Sequence, residues 1–166
     1  MVFIIETIIT IILFSLFCII SVKKNPLVWI DDYPPAIIKR CKELKIIEED
    51  DKKRKGNFFI SKLIKTILIV VLVTWVVIRF NHAKSFFDGF IITYSLWFIV
   101  AWYDALIIDC LWICHDKSIR IPGTEDMDQE YHNYLFHIKM SGIGTLIGLP
   151  VAILVGILTT IINLFI

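Results

Sequence analysis

Apolar and polar residues along this chain fall into long blocks. Four apolar blocks run from Val2 to about Val22, from about Phe58 to Phe80, from Phe86 to about Ile113, and from Ser141 to Ile166. Each reaches the roughly 20 residues that a helix needs to cross about 30 Å of hydrocarbon. Two polar segments, 23–57 and 114–140, and a short turn, 81–85, separate them. The pattern predicts an all-α, polytopic membrane protein with four transmembrane helices in a single membrane domain spanning 1–166.

Inside both polar segments the periodicity becomes helical, giving two amphipathic helical segments. Asp31, Asp32, Tyr33, Pro34 and Pro35 read as a turn and a helix start, since proline is accepted in a first helical turn. Beyond it Ile37, Ile38, Cys41 and Leu44 share one face, while Lys39, Arg40, Lys42 and Glu43 turn elsewhere. Such a helix lies on the inner leaflet, with Trp29 and Tyr33 at headgroup level, or packs on the protein's own surface. Both stay open. In the second segment Pro122-Gly123 marks a turn and Thr124 a helix start. Met127, Tyr131, Tyr134, Leu135 and Ile138 then recur at helical spacing up to an expected break at Ser141-Gly142.

Composition narrows the function classes. Hydrophobic residues make up 57% of the 166 and charged ones only 20%, with a mean hydropathy of +0.76. Soluble domains are less apolar and carry about 25% charged residues, so a globular soluble enzyme, a secreted disulfide scaffold and a disordered tail are all excluded. Fifteen of the seventeen Lys and Arg residues fall on one side of the four spans. The positive-inside rule makes that side cytosolic and puts both termini outside a cell membrane. The first span lacks a basic leader and a small-x-small cleavage site, which favours an uncleaved anchor. Cys18, Cys41, Cys110 and Cys114 lie in spans or on the cytosolic side and imply no disulfide framework.

Residues 23–65 carry a net charge of +5 and residues 114–140 a net of −2, so the two segments are expected to dock on each other. The charged run from Glu48 to Gly56 reads as a solvated turn. Topology and attraction to anionic lipid headgroups already account for the basic residues. No nucleic-acid partner is expected.

Two local signatures concern packing. Ser85-Phe86-Phe87-Asp88 has the spacing of a capping box, which gives the acid at the membrane entrance a structural role. In the last span Gly144, Gly148, Ala152 and Gly156 recur every four residues as a small-residue stripe that permits close helix contact. Pro150 is expected to kink that helix. The contact partner is equally the same chain or another one, leaving a homo-oligomer or other membrane subunits as expected partners.

Candidate chemistry centres on the third span. Asp104 and Asp109 lie toward its cytosolic end, where an acid costs up to about 2.5–3.5 kcal/mol if it is deep in the bilayer. Intramembrane acids therefore face a cavity or a partner and mark functional sites. At 100° per residue the two acids point about 140° apart and need separate partners. His115, His132 or His137 would serve Asp109, and Lys62 or Lys65 would serve Asp104. The candidate ligand-binding set is Asp104, Asp109, His115, Glu125, His132 and His137.

Imidazole with carboxylate suits zinc or non-haem iron. But Cys110 and Cys114 lack a zinc-module spacing, and His132 and His137, five apart, fall on different helix faces. No metal and no cofactor are expected, and Asp128 with His132 reads as an i,i+4 surface pair. Nucleophile-elbow, phosphate-loop and dinucleotide motifs are missing. The favoured expectation is a binding or transport component of a membrane assembly. Alternatives are an enzyme acting on a lipid or isoprenoid at the cytosolic interface, and a scaffold with no small-molecule ligand.

Overall fold

The computed structural model describes residues 1–47 and 55–165, and the side chains of 55–62 are not part of the description. The expected charged turn therefore falls outside the described residues over 48–54, as does the side chain of Lys62. The helices are α1 (Val2–Lys24), α2 (Pro35–Glu43), α3 (Lys55–Asn81), α4 (Phe86–Tyr103), α5 (Asp128–Tyr131) and α6 (Tyr134–Phe165). A π-helix, Asp104–Ile113, continues α4. The protein is 83% helical, with no strand among the described residues. Among the described residues, four stretches are long and apolar enough to cross a membrane: Val2–Lys24, Leu63–Asn81, Phe86–Ile113 and Asp128–Phe165.

The chain divides into two compact units. The first comprises Met1–Ile8, Asp51–Ala101 and Ile143–Ile166. Its α3–α4 turn is closed by the expected capping box: the Asp88 carboxylate accepts from the backbone N–H of Ser85 at 2.9 Å and of Lys84 at 3.1 Å, and the Ser85 hydroxyl accepts from the Asp88 N–H at 3.2 Å. Asn81, at the end of α3, donates to the Glu6 carboxylate at 2.7 Å.

The small-residue stripe is occupied within this unit. Ala152 is fully buried. A Cβ placed on Gly148 would fall 2.3 Å from the Trp97 ring, and one on Gly156 would fall 2.8 Å from the Phe86 carbonyl oxygen. The Trp97 indole N–H donates to the Gly144 carbonyl at 3.0 Å. The face that the sequence left to either partner is thus taken, at Gly148 and Gly156, by α4 of the same chain.

The second unit comprises Ile9–Asp50 and Trp102–Gly142. Its core is Tyr33, Ile37, Cys41, Ile121 and Tyr131, flanked by Leu27, Ile30, Ile38, Ile113 and Met127. Ile37 and Cys41 have no exposed surface, so α2 spends its apolar face on the protein itself. Tyr33 is only 5% exposed and belongs to this core. Burial, reinforced by the neighbouring Tyr131, pushes its phenol above the usual tyrosine range. The two oppositely charged segments do dock, with Arg40 3.6 Å from Asp126. Asp126 is largely exposed and Arg40 partly so, which makes the pair worth little. Apolar burial carries the docking.

The second amphipathic helix differs from its sequence expectation. Thr124 is fully buried and does not start a helix; its hydroxyl donates to the Ile121 carbonyl at 2.8 Å and lies 2.7 Å from the Tyr131 hydroxyl. α5 lasts four residues. The break falls at His132 and Asn133, where the Asn133 side chain accepts from the Phe136 N–H at 3.1 Å and caps α6. From there α6 runs unbroken through Ser141, Gly142 and Pro150. A single glycine costs a helix only about 1 kcal/mol, too little to interrupt a membrane-length segment.

Candidate functional site

The polar residues singled out in the third span belong to the second unit, and the π-helix sets their directions. In an α-helix the N–H of residue i bonds the carbonyl four back; here Cys114 bonds the Asp109 carbonyl, five back, at 2.9 Å. Each turn is wider, and residues five apart come close to stacking above one another. The expected 140° divergence of Asp104 and Asp109 assumed α geometry and does not hold along this stretch. Nothing in the apolar run of 104–113 announces the change of pitch.

Asp109 finds one of its three proposed partners. Its carboxylate lies 3.1 Å from Nδ1 of His137. His137 is 4% exposed and the Asp109 side chain 23%, so the pair is largely shielded from water. α6 supplies the imidazole because the Asn133 cap starts that helix early enough to place His137 in its first turns.

His115 and His132 gather elsewhere. Their rings are 4.9 Å apart at 86°, and Tyr134 joins them with its hydroxyl 3.3 Å from Nε2 of His115. The ring of His132 turns to its own backbone, with Nδ1 2.7 Å from the Asp128 carbonyl oxygen. The expected surface pair between Asp128 and His132 is therefore not formed by the carboxylate, which instead meets Arg120 at 3.0 Å and Lys117 at 3.9 Å. Glu125 also stands apart: its carboxylate accepts from the Gly123 N–H at 2.8 Å and secures the turn in which Gly123 adopts φ +86°. Asp104 is half-buried at the start of the π-helix, and Lys65, its proposed partner, is exposed.

Sequence reasoning passed over Arg120. Its side chain is 3% exposed, and one guanidinium nitrogen bonds both the Cys114 carbonyl at 2.9 Å and Asp128. The guanidinium carbon lies 3.7 Å from the centre of the Tyr131 ring, a cation–π geometry. The Tyr131 hydroxyl in turn accepts from the Ile121 N–H at 3.1 Å. The available signal was a lone arginine between Ile119 and Ile121, a position where an unpaired charge is too costly to bury. Nearby, the Ser118 hydroxyl and then its backbone N–H hold the Asp116 carboxyl below the ordinary range.

Chemically, the unit offers a shielded carboxylate–imidazole pair able to hold or move a proton, and a separate, more open pair of imidazoles. The four thiols are free and buried. Among the described residues no group of three or more His, Cys, Asp and Glu side chains is arranged around a common metal position. Comparison of the chain with protein-family models, with curated proteins and with solved structures finds no match.

Proposed function

We propose that this chain is an integral membrane binding or transport component whose ligand is held by the second unit, at the end of the third span. One observation carries the reading: Asp109 and His137, from two different spans, meet in a shielded pair at 3.1 Å. Ionisable groups at membrane depth are costly, and those that persist there face a partner or a pathway. Asp104, within about one turn of Asp109, belongs to the same proposed site. In this reading the basic segments face the cytosol and its anionic headgroups, both termini lie outside, and further membrane subunits associate through surfaces other than the Gly148–Gly156 stripe.

The test uses full-length protein in detergent, with thermal unfolding followed against a panel of organic anions, organic cations and anionic lipids. A compound that stabilises the wild type is expected to lose its effect in Asp109→Asn and Asp104→Asn, with both variants remaining folded. Loss of folding in both variants would make the acids structural, and the binding reading would fall.

A second reading is favoured by one detail of the same pair. Asp109 engages Nδ1 of His137, the arrangement in which a carboxylate orients an imidazole so that Nε2 moves the proton. That geometry suits an enzyme acting on a lipid or isoprenoid at the interface. Turnover of such a substrate, lost in His137→Gln with lipid binding retained, would select it over simple binding.

A further inference from the structure

We propose that His115 and His132 form a two-histidine site for a divalent transition-metal ion of the zinc and copper class. The site is independent of the Asp109–His137 pair. The sequence argued against a metal because His132 and His137, the neighbours along the chain, point to different faces. The fold makes a different pairing, bringing together His115 and His132, seventeen residues apart, with ring centres 4.9 Å from each other. With Zn–N bonds of about 2.0–2.1 Å and tetrahedral angles, two imidazoles on one ion have centres roughly 5 Å apart. Their near-perpendicular planes, 86°, are compatible with that sharing.

Tautomer chemistry adds a second, independent support. A carbonyl oxygen only accepts, so Nδ1 of His132 must carry the proton that it shares with Asp128 at 2.7 Å. Nε2 of neutral His132 is then left with its lone pair. A ring N–H donated to a backbone carbonyl is also how metal-ligating histidines are held in orientation. With Nε2 of His115 donating to the Tyr134 hydroxyl at 3.3 Å, Nδ1 of that ring keeps the lone pair that would bind the ion.

His115 is exposed and His132 half-buried, so the pair is open to an ion from outside the protein. Two protein ligands are fewer than the three of catalytic zinc sites, which leaves positions on the ion for water or an anionic group. The neighbouring carboxylate of Asp128 is committed to Arg120 and Lys117 and does not join. Copper should bind more tightly than zinc, following the usual order for nitrogen donors.

The experiment takes the full chain in detergent, stripped with a chelator, and titrates Zn2+ against a chromophoric competitor. Cu2+ is followed by electron paramagnetic resonance. The wild type is expected to bind one ion per chain, with hyperfine structure from two imidazole nitrogens. His115→Gln, at an exposed position where folding is not at stake, should weaken Zn2+ at least about tenfold, as should His132→Gln, by comparison with the 10–100-fold effects of weaker metal-site changes. His137→Gln should leave the affinity unchanged. Absence of stoichiometric binding, binding that survives His115→Gln, or nitrogen hyperfine from fewer than two imidazoles would each overturn the proposal.

Discussion

The two units solve the packing problem by opposite means. In the first, helices approach until backbone meets side chain with no room for a methyl group, as at Gly148 against Trp97 and Gly156 against Phe86. In the second, large side chains are enclosed and tied together: Ile121 and Ile37 have no exposed surface, and Tyr131 stacks with Arg120 while its hydroxyl holds Ile121 and Thr124. Lipid tails are as apolar as any side chain, so helices within them gain from close fit more than from burial. A segment that meets water gains from burial itself. The same chain therefore uses small residues in one place and large ones in another.

Mutations that sort by mechanism test this contrast most strongly. Ile121→Ala should be the most damaging, at about 2–5 kcal/mol, because it opens a cavity in a fully enclosed position; chemical unfolding in detergent would measure it. Gly156→Ala should cost about 1–3 kcal/mol through overpacking, whereas the same exchange at Gly144, whose Cβ position is open for 4 Å, should stay within about 0.5 kcal/mol. Equal losses at the two glycines would break the close-fit account of the first unit. Tyr131→Phe should cost about 1–3 kcal/mol, since it leaves the buried Ile121 N–H without its acceptor, and a neutral result would mean that the second unit rests on apolar burial alone.

The smallest effect concerns pH. The Asp116 carboxyl titrates below its ordinary value, so its contribution is present above the unfolded-state pKa and fades as pH falls through the folded one. Ser118→Ala should return the Asp116 pKa toward the ordinary carboxylate value, detectable by carboxyl carbon NMR, and leave unfolding at neutral pH nearly unaltered.

Features set by local chemistry were the ones legible in the sequence. The four spans follow from block lengths, and the Ser85–Asp88 cap follows from a four-residue spacing. The small-residue stripe was equally visible, but its neighbour was not, because spacing on one helix says nothing about which helix meets it. Of the candidate site, Asp109 and His137 were both named, yet three histidines competed for the acid. The choice depended on the pitch of residues 104–113 and on a helix restart at Asn133. The local partners of Glu125 and Asp128 were hidden for a common reason: each carboxylate is used by the turn around Arg120 and Gly123, whose course is fixed by tertiary burial. Arg120 itself escaped notice because its partners come from the Cys114 backbone and from residues eight to eleven positions away.

The ten-residue widening after Tyr103 works like an inserted phase shift. A helix that kept its ordinary winding from α4 onward would deliver Asp109 to another bearing, and the residues after it would inherit the error. The contact with His137 is thus encoded less by the identity of the acid than by how many residues are counted out before it. One residue added to or removed from that stretch would re-aim everything beyond it while leaving the span just as oily.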